Sequence, residues 1–218
     1  MKNKLVKFFV LLIFSSAIAT YGLIGDSVAV IIGAMIIAPL MLPIMGLAYS
    51  ISAGDSPAMK NSLLLSMGGI VTAIVVAFFL TLPLSGAIQP NNINQIMVRT
   101  SPGIIDLLIA LFTGLAGAFA MSRSDVSDTL PGVAIAISLV PPLANVGVLL
   151  ATFNYSLALG SFLLFMTNYL AIVITGAAPF WNYGLLTGNF LRKISKRQKR
   201  EYNSCFNLFD HNYHPIKL

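Results

Sequence analysis

The sequence predicts an all-α membrane protein with six transmembrane helices, arranged as two inverted three-helix repeats in which helices 2 and 5 are broken at prolines. Three observations predict this class: long runs without charge, basic residues concentrated on one side, and prolines at matched positions of two apolar segments. Only 9% of the 218 residues are charged and 57% are hydrophobic. Soluble domains carry about 25% charged residues, so this chain has too few to coat a surface that faces water.

Four long stretches of the sequence contain no charged residue, and these stretches predict the positions of most of the helices. The runs without Asp, Glu, Lys or Arg have 28, 38, 16 and 63 residues, at 27–54, 61–98, 107–122 and 129–191. A transmembrane helix needs about 20 mostly apolar residues. With the apolar N-terminal stretch, we predict six spans, at 5–24, 28–53, 60–84, 103–122, 131–153 and 157–180.

Helix-start signals support three of these spans. Pro57, Pro102 and Pro131 each follow closely on a Ser, Thr or Asp. Proline is tolerated at the start of a helix because its missing N–H would have had no partner there. We also expect Asp55 to cap the third helix and Asp26 to lie in the turn between the first two.

The basic residues predict the orientation. Six spans place both termini on one side, and cytoplasmic segments are enriched in Lys and Arg. With the N-terminus inside, only Arg99 lies outside. The other twelve of the thirteen basic residues lie inside: Lys2, Lys4, Lys7, Lys60, Arg123, Arg192, Lys193, Lys196, Arg197, Lys199, Arg200 and Lys217. We therefore predict a cell-membrane protein with both termini cytoplasmic, whose net charge of +6 reflects orientation rather than nucleic-acid binding.

Two domains follow from this division of the chain. Residues 1–187 form the integral membrane domain, and residues 188–218 form a basic, polar cytoplasmic tail. The basic run 192–200 either anchors the topology or binds anionic lipid headgroups, at about 1 kcal/mol per basic residue near the surface. One alternative stays open at the other terminus: the three early lysines, the short apolar stretch and Ala17–Ala19 also resemble a cleaved secretory signal, which would leave five spans.

An internal repeat relates two apolar segments. At an offset of 103 residues, Pro39-Leu40 in the segment 28–49 aligns with Pro142-Leu143 in the segment 131–152. The repeats cover about 5–84 and 103–187. Each holds three spans, and because three is odd the second repeat enters the membrane from the opposite side. Inverted repeats with broken helices recur in secondary transporters, where the broken segments line a site near the bilayer midplane.

Proline inside a span predicts a polar site because it removes an N–H and leaves a carbonyl four residues back without its donor. Such carbonyls cannot face lipid without cost. Together with Asn and Ser side chains they make a lining suited to a cation or a neutral solute. The predicted midplane residues are Pro39, Pro43, Ser138, Pro141, Pro142, Asn145, Thr167 and Asn168. The alternative is that the prolines only kink packed helices and the polar side chains bond neighbouring helices.

Two further features concern the fourth span. Asp106 lies near its start, where it suits the helix dipole and could pair with Arg99 or a substrate cation, so this pair is the predicted outer-mouth charge. Ala110, Gly114 and Ala118 recur every four residues. This spacing indicates a helix contact, either within the chain or across a homo-oligomer.

The remaining sequence features exclude several classes of chemistry. A lone cysteine, Cys205, rules out an internal disulfide framework and a cysteine metal site. No HExxH, GxSxG or nucleotide-binding fingerprint occurs, so we expect no enzyme activity, cofactor or metal. The functions left are a small-solute or ion transporter or channel, and alternatively a non-transporting scaffold or sensor subunit.

Three long stretches resemble a known family. They are SVAVIIGAMIIAPLMLPIMGLAYSISAGD at 27–55, RTSPGIIDLLIALFTGLAGA at 99–118 and LPGVAIAISLVPPLANVG at 130–147. In these, the chain resembles the uncharacterised membrane proteins grouped as domain of unknown function 389, over roughly residues 11–185. The resemblance implies a multi-span bacterial and archaeal membrane protein. It implies no activity or substrate, and it implies that many relatives carry a soluble N-terminal region, which we expect to be missing here.

Overall fold

The computed structural model describes residues 2–122 and 129–186, with side chains described for 5–120 and 138–178. Every regular element in these ranges is helical, so the predicted all-α class is confirmed. Eight α-helices are described: α1 Lys2–Ile24, α2 Val28–Ile37, α3 Met41–Ala53, α4 Ser56–Thr81, α5 Asn94–Met97, α6 Ile104–Ser122, α7 Thr129–Ala151 and α8 Tyr155–Leu186. Short 3-10 turns at Leu82–Leu84 and Pro90–Asn92 interrupt the segment between α4 and α6.

In the described part of the chain, three helical stretches are long and apolar enough to cross a membrane: Leu5–Ile24, Ser56–Leu84 and Tyr155–Ala178. The bent pair α2 and α3 makes a fourth if it is counted as one span. Their outward faces are apolar, since Phe79 and Ile174 are both more than 60% exposed, as a lipid-facing surface requires. The described parts of α6 and α7 are apolar but shorter. The count of six spans, their inverted arrangement and the orientation of the termini therefore stay predictions.

The predicted break in the second span is confirmed. Helix α2 ends at Ile37, α3 begins at Met41, and the two axes differ by 58°. The break falls at Pro39, because a residue before proline avoids the helical region and Ala38 is extended, with φ −66° and ψ 121°. The hydroxyl of Ser15 donates to the Ala34 carbonyl at 2.7 Å in the last turn of α2, where carbonyls lack helical partners.

The predicted break in the fifth span is wrong. Helix α7 runs without interruption through Pro141 and Pro142. Pro142 has no N–H for the Ser138 carbonyl, but Asn168 of α8 donates its Nδ2 to that oxygen at 3.1 Å. A buried carbonyl with a donor costs little, so the helix continues.

Helix α7 lies at the centre of the bundle. Its side chains from Ser138 to Leu149 are all buried, and it packs against α1, α2, α4, α6 and α8. The contact with α4 is close at Gly147, where an added Cβ would lie 2.5 Å from the Ala77 Cβ. A buried central helix positions its polar residues away from lipid.

The small-residue stripe of α6 is a helix contact within the chain. Ala110 and Ala118 are fully buried, and an added Cβ at Gly114 would meet the backbone of Ile172 in α8. The predicted contact role is confirmed. Because α8 covers this stripe, a second subunit would have to pack on another face.

The start of α4 agrees with its sequence signals. The Asp55 carboxylate accepts a hydrogen bond from the Ala58 N–H at 3.1 Å, and Pro57 lies in the first turn. Gly54 ends α3 at φ 66°, a conformation that glycine adopts without strain. The helix begins at Ser56, four residues before the predicted start of the span at residue 60.

Candidate functional site

A ladder of two polar rungs joins α7 to α8. In one rung, Asn145 donates its Nδ2 to the hydroxyl of Ser161 at 2.9 Å. In the other, Asn168 donates its Nδ2 to the backbone carbonyl of Ser138 at 3.1 Å. All four residues are buried, with exposed fractions of 0% for Asn145 and Ser161, 4% for Asn168 and 7% for Ser138.

The spacing of the four residues explains why they meet. Each helix carries a Ser followed seven residues later by an Asn, at Ser138 and Asn145 in α7 and at Ser161 and Asn168 in α8. Seven residues are close to two helical turns, about 10 Å, so each pair shares a face. Since a tight turn at 152–154 reverses the chain between the two helices, the Ser of one helix lies opposite the Asn of the other.

Sequence reasoning identified three of these residues and missed Ser161. The signal that could have found it is the repeated Ser-x6-Asn spacing in two consecutive apolar helices. Two such helices joined by a short turn run antiparallel, and this order of residues then pairs unlike side chains at both levels.

Asn145 makes a second hydrogen bond outside the helix pair. Its Nδ2 also donates to the backbone carbonyl of Ile96, in α5, at 3.0 Å. A carbonyl can only accept, so this contact fixes the amide of Asn145 with its nitrogen toward Ile96. The Ser138 carbonyl fixes the amide of Asn168 in the same way.

The ladder leaves buried oxygen atoms without partners. Asn145 Oδ1, Asn168 Oδ1 and Ser138 Oγ have no hydrogen-bond partner within the described ranges. Leaving a buried polar atom unsatisfied costs about 1–3 kcal/mol, so each such atom calls for an explanation such as a water, an ion or a ligand. The amide oxygens can only accept, which suits a cation or a solute that donates hydrogen bonds.

The predicted midplane residues separate into two groups. Pro141 and Pro142 are buried in α7 between the two rungs and belong to the ladder by position. Pro39 lies at the α2–α3 break, and Pro43 is buried in the first turn of α3, where it breaks nothing. Thr167 is half-buried and its hydroxyl donates back to the Leu163 carbonyl of its own helix. The described hydrogen bonds link neither Pro39, Pro43 nor Thr167 to a rung.

The predicted outer-mouth charges, Arg99 and Asp106, have separate local partners. Arg99 Nη1 donates to the carbonyl and the side-chain oxygen of Gln95 at 2.6 and 2.9 Å. Asp106 accepts from the Gly103 N–H at 3.2 Å, at the start of α6. Burial lowers the pKa of Arg99, and the negative charge of Asp106 partly opposes that change. An arginine side chain stays protonated in proteins even when its pKa is lowered, so Arg99 is a fixed positive charge that donates hydrogen bonds to Gln95.

Comparison with known proteins places these features in a family. The family model described as "Domain of unknown function (DUF389)" matches residues 35–174, more than half of the chain. The chain belongs to the DUF389 family. The match contains the break at Pro39, the segment between α4 and α6, and all four ladder residues, so the expected resemblance is confirmed.

One relative extends the DUF389 similarity over most of the chain. An uncharacterised protein of Methanocaldococcus jannaschii is 30% identical over 194 residues, which cover 88% of this chain. The aligned region spans 59% of the length of that relative. No solved structure matches this DUF389 chain significantly.

Several predictions for this DUF389 chain fall outside the described residues. These concern Arg123, the basic run 192–200 and Cys205. The lipid-binding and cytoplasmic roles of the tail therefore stay predictions.

Proposed function

We propose that this protein is a membrane transporter or channel for a small cation or a small hydrogen-bond-donating solute, and that the α7–α8 ladder is its central site. The observation that carries the proposal is the set of buried, unpartnered oxygen atoms on Asn145, Asn168 and Ser138. Ser138 and Asn145 lie on the central helix α7 and Asn168 lies on α8, which packs against it, and buried polar groups inside an apolar membrane bundle are usually functional.

Chemical complementarity narrows the solute class. Both amide nitrogens of the ladder are used in protein hydrogen bonds, while both amide oxygens are free to accept. A cation or a hydroxyl-bearing solute gains from such oxygens, whereas an anion is repelled by them, although the unpartnered Ser138 hydroxyl can also donate. Neutral oxygen ligands also bind weakly enough for a solute to leave, which conduction requires.

A mechanism of alternating access is consistent with the packing. Helix α4 packs against α7, and α8 packs against α3. If the two halves are inverted repeats, these are corresponding contacts. Rocking of one half against the other would then expose the ladder to each side in turn, with the break at Pro39 as the hinge in the first half.

Solute flux in proteoliposomes tests the proposal. We expect uptake of rubidium, sodium or glycerol above protein-free vesicles, and no uptake of chloride. Asn145→Leu should lower that uptake by about tenfold, the equivalent of about 1.4 kcal/mol. Thr167→Val is the matched control, because among the described residues its hydroxyl bonds within its own helix, to the Leu163 carbonyl. Absence of flux for all of the cations and glycerol, in protein that elutes as a folded species, would refute transport.

A non-transporting scaffold or sensor subunit is the second candidate. The observation that favours it is that both amide nitrogens already bond neighbouring elements in a buried setting. Such contacts bind membrane helices together by about 0.6 kcal/mol each on average. Under this function, Asn145→Leu lowers stability and no variant or parent protein supports flux.

A further inference from the structure

The segment between α4 and α6 reaches into the bundle. It carries the short helix α5, and within it the side chain of Ile96 is fully buried and belongs to the main hydrophobic core. The Ile96 carbonyl accepts from Asn145, which lies about 9 Å along α7 from the end of that helix at Ala151, at 1.5 Å per residue. A surface loop would not place its backbone this far inside.

Polar contacts fix this segment to the end of the bundle where α1 ends. The Asp26 carboxylate accepts a hydrogen bond from the Gln95 N–H at 2.8 Å. Arg99 holds the carbonyl and side-chain oxygens of the same Gln95 from within the segment. Asp26 lies in the α1–α2 turn with φ 49°, a left-handed conformation that Asp tolerates better than most residues.

The segment between α4 and α6 also packs closely against α8. The carbonyl of Thr100 lies so near Gly160 that an added Cβ would collide with it. Gly160 immediately precedes Ser161, the partner of Asn145 in the first rung. The segment therefore contacts both helices of the ladder at the level of that rung.

We propose that Pro90–Thr100 is a plug that closes the α7–α8 ladder at this end of the bundle, and that its release from Asp26 admits solute to Asn145. The inference rests on the proposed transport function for its role as a gate. When the plug moves away, Asn145 loses its bond to Ile96, and its Nδ2 becomes available together with its free Oδ1. The same displacement uncovers Gly160 and Ser161.

Thiol labelling tests the plug without any measurement of transport. The reporter is Ser161→Cys in a Cys205→Ser background, which removes the only native cysteine. The probe is a membrane-impermeant methanethiosulfonate reagent applied to the protein in vesicles. We expect slow labelling with the plug intact. Asp26→Ala should speed labelling about tenfold, because it removes the charge-assisted hydrogen bond that holds the plug to the α1–α2 turn.

A matched aspartate supplies the control. Asp55 also accepts a backbone hydrogen bond, from Ala58 at the start of α4, and none of the described hydrogen bonds links it to the plug. Asp55→Ala should leave the labelling rate of Ser161→Cys unchanged. Equal labelling in the reporter alone and in its Asp26→Ala variant overturns the plug, as does equal acceleration by Asp26→Ala and Asp55→Ala.

Two further measurements cover misfolding of the Asp26 variant. Arg99→Met removes the two hydrogen bonds from Arg99 to Gln95 inside the plug, so it should also speed labelling. In the unaltered protein, the Gln95 amide should exchange with deuterium faster than the amides of Leu143–Leu149 in α7, because plug release exposes it without unfolding α7. Equal exchange rates in these two regions contradict the plug.

The outcomes separate the plug from the proposed function. Faster labelling in Asp26→Ala without flux in any protein supports the plug and refutes transport. Flux in the unaltered protein that Asp26→Ala leaves unchanged, with unchanged labelling, supports transport and refutes the plug.

Discussion

Asn168 donates a hydrogen bond from Nδ2 to the backbone carbonyl of Ser138, the oxygen to which Pro142 can offer no N–H. A side chain on α8 thus replaces a backbone donor that the sequence removed from α7. This contact links two features that are far apart along the chain, a proline pair inside one helix and an asparagine inside the next. It supplies a donor to the carbonyl that Pro142 leaves without one, in a helix that continues through both prolines.

A double-mutant cycle on this contact gives the first prediction. Asn168→Leu should lower the free energy of unfolding by about 1–3 kcal/mol, because the Ser138 carbonyl is left buried without a donor. Pro142→Ala restores a backbone N–H at the right position, so Asn168→Leu should cost less in that background. We expect a coupling energy of about 1 kcal/mol or more, measured by reversible unfolding in mixed detergent micelles.

The cycle has an internal control on the same helix. Thr167→Val removes a hydroxyl whose described hydrogen bond goes to Leu163 of the same helix, so it should change stability by less than about 0.5 kcal/mol in both backgrounds. An equal cost for Asn168→Leu with and without Pro142 would show that Asn168 does not compensate for the proline.

Helices and their starts could be predicted from the sequence because local chemistry fixes them. Apolar runs predicted the helical stretches to within a few residues at most ends, and Asp55 capped α4 as its position before Pro57 indicates. The break at Pro39 was also predictable, since a residue before proline resists the helical conformation.

Tertiary contacts decided the features that the sequence could not reveal. The same proline rule fails in α7 because Asn168 arrives from another helix. Ile96 lies outside the predicted spans, between 60–84 and 103–122, yet its side chain is buried in the core and its carbonyl accepts from Asn145. Neither outcome follows from residues adjacent in the chain. The predicted convergence of Pro39 with the polar residues of α7 and α8 likewise depends on how the helices pack, which the sequence does not determine.

The crossing of α4 and α7 gives the second prediction. Gly147→Ala would place a Cβ 2.5 Å from the Ala77 Cβ and 2.6 Å from the Ile74 carbonyl oxygen. The helices must separate to admit it, so stability should fall by about 1–3 kcal/mol. Gly33→Ala is the matched control within helix α2, because no atom of the described residues outside that helix lies within 4 Å of the added Cβ. That change should stabilise the protein by up to about 1 kcal/mol, and equal effects at the two positions would contradict close packing at Gly147.

The orientation of the chain gives the last prediction. Lys60 is exposed near the start of α4, and Val98, in the segment beyond its end, is 69% exposed. The part of α4 beyond Lys60, residues 61–81, has 21 residues, about 32 Å at 1.5 Å per residue, enough to cross the apolar core of a bilayer. With Cys205 replaced by Ser, an impermeant thiol reagent should label Val98→Cys in intact cells and Lys60→Cys only after permeabilisation. The physical reason is the retention of basic residues on the cytoplasmic side.

Labelling of both positions from one side would remove the inverted repeat, because α4 would then not cross the membrane. Labelling with the two sides exchanged would keep α4 as a span but place the plug, and the entry to Asn145, on the cytoplasmic side.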